Sequence, residues 1–115
     1  MTLPKVLTSR FGDDLATFEL SIPDDLEEFS GHFPGAPILP GVVQIDWVMR
    51  FASQHLIGIE PVARDFQVKF RNPIQPNSIL TLDLKIDRAK ARLYFEYRSG
   101  ERTMSSGRIA LEPVS

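Results

Sequence analysis

The 115-residue sequence contains no cysteine. Disulfides, thiolate metal ligands and a cysteine nucleophile are therefore excluded. It contains only two histidines and one tryptophan, so any imidazole chemistry rests on His32 or His55. No run approaches the roughly 18 apolar residues of a membrane span. Met1 to Gly12 has no apolar core of the kind a secretory signal needs. The expectation is a cytoplasmic protein without a membrane segment. An excess of positive charge is also missing: 13 Lys and Arg stand against 15 Asp and Glu, a net charge of −2, which argues against a general nucleic-acid binder. HExxH, GxSxG, GxGxxG and any metal-spaced carboxylate cluster are absent too. Nothing in the sequence asks for a metal or a cofactor.

What is present is the composition of an ordinary globular protein, 43% hydrophobic and 24% charged. The length fits one domain over residues 1–115. A monomer of this size buries only about two-thirds of its unfolded surface, so association with a second copy would help it. The charge is unevenly placed. Residues 1–60 carry three Lys/Arg against nine Asp/Glu, and residues 61–115 carry ten against six. Two readings fit that asymmetry: solvated strand faces, or a basic rim that attracts an acidic partner.

Periodicity divides the chain. Leu15 to Ile22 reads as a strand whose second set, Ala16, Phe18, Leu20 and Ile22, is wholly apolar. A glycine- and proline-rich loop follows from Phe29 to Gly41. Val42 to about Leu56 has no Pro or Gly, and its apolar residues cover more than one helical stripe. Such a helix is expected to be buried nearly all round, closed by Gly58 and Pro61. Period two then takes over. Strands are expected over 66–71, 79–86, 93–97 and 105–111, with a turn at Asn72-Pro73 and a hairpin connection over 87–90. One buried helix followed by an antiparallel meander is an α+β domain with the sheet wrapped around the helix.

His32 lies in Gly31-His32-Phe33-Pro34-Gly35-Ala36-Pro37-Ile38-Leu39-Pro40-Gly41. Its prolines and glycines stiffen the backbone and let it pass close to other groups. A loop built this way can hold an imidazole in one orientation at the mouth of a helix. It can equally be a rigid turn with an incidental histidine, and local chemistry does not choose between the two. His55, late in the helix, stands where an imidazole is commonplace. Asp46 sits between Ile45 and Trp47 in the most apolar stretch. A carboxylate there is either hydrogen-bonded or functional, because an unpaired buried charge is expensive. Gly41 falls at the helix N-terminus, where a free N–H meets a carbonyl oxygen that gains charge. An imidazole, a carboxylate and a backbone donor are the parts of a β-elimination next to a carbonyl.

The stretch from Gly31 to Asp46 resembles the signature of the bacterial 3-hydroxyacyl-[acyl-carrier-protein] dehydratases of fatty acid synthesis. It looks most like their small relatives of aryl-polyene and related pathways. Weaker similarity continues through the helix and into Val68 to Asn77. The resemblance implies a hot-dog fold, an antiparallel sheet wrapped around one long helix, and a homodimer or a multiple of dimers. It implies that His32, its ring held by the carbonyl of Ile38, is catalytic with Asp46, and that Gly41 is the oxyanion donor. The substrate would be a 3-hydroxyacyl chain on an acyl-carrier protein. Phe33, Ile38, Pro40, Trp47 and Arg50 are the expected substrate-pocket residues, and Arg71, Lys69 and Arg64 the expected contacts of the acidic carrier.

Three positions depart from the family pattern. Many members have Glu where Asp46 stands, although the branch acting on medium-length chains has Asp. Gln is frequent where Arg50 stands; an arginine one turn beyond the carboxylate would favour its ionised form, which works against an acid meant to deliver a proton. Trp47 replaces a small residue. Two other functions share this fold, an acyl thioesterase and a non-catalytic acyl-binding subunit. The first normally lacks the His-Phe-Pro-Gly loop, and the His/Asp pair argues against the second.

Overall fold

The computed structural model describes residues 3–24, 38–55 and 59–113, with backbone only for 59–64 and 113. Chain order is β1 (Lys5–Gly12), β2 (Leu15–Ser21), α1 (Gly41–His55), β3 (Ile59–Phe70), β4 (Ile79–Asp87), β5 (Arg92–Ser99) and β6 (Arg102–Pro113). The strands form one six-stranded sheet in the order β1-β2-β4-β5-β6-β3, and every neighbouring pair is antiparallel. β4, β5 and β6 are the expected meander. β3 crosses over to close one edge, and β1 forms the other.

Alternation explains the inner face. Ala16, Phe18 and Leu20 on β2, Leu80, Leu82 and Leu84 on β4, and Leu93, Phe95 and Tyr97 on β5 are all buried in one cluster with the helix. Their polar neighbours point outward, as period two requires. Each fully buried Leu or Phe contributes roughly 1.5–3 kcal/mol through apolar area removed from water. One lateral row is of particular use. It runs Phe18, Leu82, Tyr97, Ser105 and Phe70 from β2 across to β3, so the β3 edge is tied in register to the centre of the core.

Helix α1 begins at Gly41, where the carbonyl of Pro40 accepts from the N–H groups of Val43 and Gln44 at 3.1 and 3.2 Å. It is not buried nearly all round. Val43, Gln44, Ile45, Trp47, Val48, Phe51 and Ala52 are buried, but Val42 is 69% exposed and Arg50, Ser53, Gln54 and His55 are also open. The sheet covers only one side of a cylinder, so a helix that is apolar beyond one stripe keeps part of that surface uncovered. The expected end at Leu56 lies outside the described residues.

Two strands differ from expectation. β1 went unread because all its residues are exposed, which leaves no alternation to detect. β3 starts at Ile59 rather than Phe66. Its Pro61 reads as a breaker, but β3 is an edge strand in this chain, where a missing N–H need not cost a ladder bond. The register shifts between Pro61 and Phe66, an irregularity typical of edges. Among the described residues, no helix is long and apolar enough to cross a membrane.

Candidate active site

Asp46 lies on the second turn of α1 and faces away from the core. It lines a cleft of about 370 Å³ with Gly41, Val42, Ile45, Met49, Phe66 and Phe70. Apart from the carboxylate, every side chain in that lining is apolar. The Asp46 side chain is 27% exposed, and Arg50 Nε, one turn on, lies 2.9 Å from its Oδ2. That oxygen has almost no solvent contact and no aligned hydrogen bond. The short distance and the missing bond are compatible: the guanidinium neutralises charge without presenting an N–H along a donor direction. Asp46 therefore keeps unused hydrogen-bonding capacity in an apolar cleft, a costly state for a carboxylate.

Phe70 divides this cleft from a second one. The neighbouring hollow, of about 320 Å³, is lined by Ile38, Leu39, Pro40, Gly41, Gln44, Phe70, Arg71, Asn72 and Pro73. Gly41 is thus common to an apolar cleft that holds Asp46 and a polar-rimmed one that holds Arg71. A Cβ on Gly41 would come within 2.5 Å of Cζ of Phe70, so a side chain there would have to push the ring aside. The first N–H groups of a helix lack intrahelical acceptors and carry its positive end.

Beneath the first turn is a buried polar network. Gln44 is 3% exposed and Ser105 wholly buried. Gln44 Nε2 donates to the carbonyl of Leu39 at 3.2 Å, Ser105 Oγ donates to Gln44 Oε1 at 2.7 Å, and the Tyr97 hydroxyl donates to the backbone carbonyl of Gln44 at 2.7 Å. Burial, and secondarily the negative charge of Asp46, push the Tyr97 hydroxyl well above its ordinary pKa of 10.0, so it stays a neutral donor. Sequence reasoning missed these three residues. The signal used for Asp46, a polar residue inside an apolar helical run, applies equally to Gln44 between Val43 and Ile45.

The expected site residues are distributed as follows. Gly41, Ile38 and Pro40 meet at the helix mouth, with Asp46 beyond the Phe70 ring. Arg50 pairs with Asp46 and is 45% exposed. Trp47, expected in the substrate pocket, is instead fully buried in the core and does not line the Asp46 cleft, because one residue beyond Asp46 on a helix turns about 100° away. Arg71 borders Gly41's polar hollow and shares an outer-sheet depression with Lys69 and Arg108. His32 and Phe33 lie outside the described residues, as does the side chain of Arg64. A larger hollow of about 610 Å³ lies at the far end of the helix, with Asp13, Asp14 and His55 in its lining. Its Asp14 is paired with Arg88 at 2.8 Å, and His55 stacks on Phe11 and Phe18 with centroids 4.8 and 5.3 Å away.

The helix mouth at Gly41 and the Asp46 carboxylate thus border one apolar cleft. The model of the ApeI-like family, described as ApeI dehydratase, matches residues 8–108. The chain belongs to this family. It is 36% identical to a chain of the dehydratase heterocomplex ApeI:P from Xenorhabdus doucetiae, covering 96% of this chain and 98% of that one with a TM-score of 0.87. An uncharacterized protein from Erwinia carotovora subsp. atroseptica is 37% identical, with 98% of both chains covered and a TM-score of 0.82. The curated 3-hydroxyacyl-[acyl-carrier-protein] dehydratase FabZ of Erythrobacter litoralis is 34% identical over 79 residues, 59% of this chain and 51% of that protein. The chain spans about half the length of the curated relatives it matches. The dehydratase domain of PpsC from Mycobacterium tuberculosis, 16% identical with a TM-score of 0.72, shares the fold alone. The ApeI-like chain has the hot-dog fold, one long helix held against an antiparallel sheet.

Proposed function

We propose that this ApeI-like chain is a hydro-lyase that removes water from a (3R)-hydroxyacyl thioester, giving the trans-2-enoyl thioester in fatty acid or polyene-type biosynthesis. The observation that carries this reading is Asp46, a carboxylate with spare hydrogen-bonding capacity lining an apolar cleft that begins at Gly41. His32 takes the proton from the carbon next to the thioester carbonyl. The electrons of that C2–H bond form the C2–C3 double bond as the C3–oxygen bond breaks, and the hydroxyl, held by a hydrogen bond to the Asp46 carboxylate, takes the proton from the His32 imidazolium and leaves as water. One proton is removed and the same one supplied, so the pair ends in its starting state. The Gly41 N–H stabilises the charge on the thioester oxygen during the step. Val42, Met49, Phe66 and Phe70 give the acyl chain an apolar bed.

The substrate arrives on an acyl-carrier protein, an acidic partner met by Arg71 beside the helix mouth and by Lys69 and Arg64 of β3. The setting is cytoplasmic. Incubation with a panel of 3-hydroxyacyl carrier-protein thioesters, read by mass spectrometry for loss of water, tests the function. Hydrolysis to free acid without dehydration would establish a thioesterase instead.

The active site is shared between two subunits, His32 of one facing Asp46 of the other. Val42, Phe66 and Phe70, all exposed around the Asp46 cleft, support this, because a partner would cover them. Mixing His32→Ala with Asp46→Ala under subunit exchange should restore about a quarter of wild-type activity, one intact site in each mixed dimer. Inert mixed dimers would put the pair within one chain. The Xenorhabdus heterocomplex favours a second reading of the assembly, in which the partner is a different subunit. Native mass spectrometry of the protein from its own cells distinguishes the two.

A further inference from the structure

Gln44 does more than fill the core. We infer that it is a positioning residue for the Gly41 N–H, acting with Ser105 and Tyr97 as one clamp between sheet and helix; this rests on Gly41 being the oxyanion donor. The geometry runs from the sheet outward. Leu39 is held on both sides of its backbone, its N–H donating to the carbonyl of Ile74 at 2.7 Å and its carbonyl accepting from Gln44 Nε2. Leu39 and Ile74 are themselves buried. Between that pinned carbonyl and the Gly41 N–H stands only Pro40, whose ring fixes φ near −65°. The remaining freedom of Pro40 is taken up by its own carbonyl, which caps the helix by accepting from Val43 and Gln44. The peptide plane that carries the Gly41 N–H is thus fixed relative to the helix by these two bonds, and relative to the sheet by the hold of Gln44 on Leu39.

The clamp is anchored in the sheet. Ser105 and Tyr97 are cross-strand partners on β6 and β5. One bonds the Gln44 side chain and the other its backbone carbonyl, so the first turn of α1 is fixed in two places to the same lateral row. That row continues to Phe70, whose ring rests on Gly41. Two of these bonds serve backbone carbonyls, but the Ser105–Gln44 pair joins two side chains, and replacing both partners of such a bond by apolar groups is close to neutral for stability. A polar clamp is worth its desolvation where orientation matters, and misplacement by about 1 Å is enough to cost roughly a hundredfold in rate.

That difference supplies the test. Gln44→Met alone strands the Ser105 hydroxyl and the Leu39 carbonyl; adding Ser105→Ala removes one stranded group and should return part of the lost melting temperature. The measurement is kcat and KM for a 3-hydroxydecanoyl carrier-protein thioester, with melting temperature recorded for each variant and Asp46→Asn as a control. We expect kcat to fall at least about tenfold in both Gln44→Met and the double variant, with KM within about twofold. The low kcat should persist in the double variant even as its melting temperature recovers. Recovery of kcat together with stability would reduce Gln44 to a structural residue and overturn the inference. If Gln44→Met alone fails to fold, Ser105→Ala and Gln44→Glu carry the same comparison. Should Asp46→Asn stay active, the dehydratase site itself is misassigned and the inference falls with it. Inactive Asp46→Asn beside a double variant of wild-type kcat refutes the clamp alone.

Discussion

On the sheet side of α1, Trp47, Val48, Phe51 and Ala52 are packed into the core, and the one buried amide, Gln44, has its polar atoms hydrogen-bonded. On the opposite side, Val42 is open to solvent, Met49 is half-buried and Asp46 is paired with Arg50 through an Oδ2 that accepts no aligned hydrogen bond. Packing energy is spent on the first side and left unspent on the second. Under the proposed function, the contrast separates the residues that hold the helix from those that act through it. Apart from the Gln44 clamp, stability and activity should then respond to different substitutions.

The sharpest way to break that contrast is at the open side. His32→Ala and Asp46→Asn should each lower dehydration by at least about a hundredfold, with the double variant little worse, because positioned acid–base groups work as a unit. Their melting temperatures should stay close to wild type. An Asp46→Asn protein that is active but unstable would mean that the carboxylate belongs with the packed side after all. The converse change is Trp47→Ala, which opens a large cavity in the core. It should cost about 3–5 kcal/mol in chemical denaturation, while kcat per folded molecule changes little. A collapse of kcat in the folded fraction would show that Trp47 shapes the acyl site despite its burial.

Smaller effects sharpen the edges. Arg71→Glu at the polar hollow should raise KM for carrier-bound substrate several-fold and weaken its salt dependence. A short thioester without the carrier should be nearly indifferent; equal losses on both would assign Arg71 to the site or the fold.

Tyr97→Phe removes the hydroxyl that bonds Gln44 and should cost about 1 kcal/mol near neutral pH. The Tyr97 hydroxyl titrates above its ordinary 10.0 in the folded protein because it is buried and lies near Asp46. Its contribution is therefore intact below the unfolded value and is lost as pH rises beyond it towards the folded value. Stability measured against pH should show the wild type losing its advantage over Tyr97→Phe above about pH 10. A constant gap across that range would mean that Tyr97 is not shielded as its burial implies.

Local pattern was enough for the α+β class, the helix, the meander and the exceptional position of Asp46. Periodicity reports burial, and these elements are buried on one side, so their alternation is written into residues a few positions apart. β1 left no such trace because its residues are exposed. The full length of β3 was hidden by Pro61, whose cost depends on which edge of the sheet it occupies. The Gly31–Asp46 motif carried the family, since prolines, glycines and a histidine in fixed order are informative without knowledge of the fold. Other features depend on residues far apart in the chain. Ser105 reaches Gln44 across 61 positions, the Phe70 ring lies on Gly41, and Trp47 turns inward while Asp46 turns out. Hydrogen-bond partners and helix orientation are set when the sheet closes over the helix, a long-range event that no local window contains.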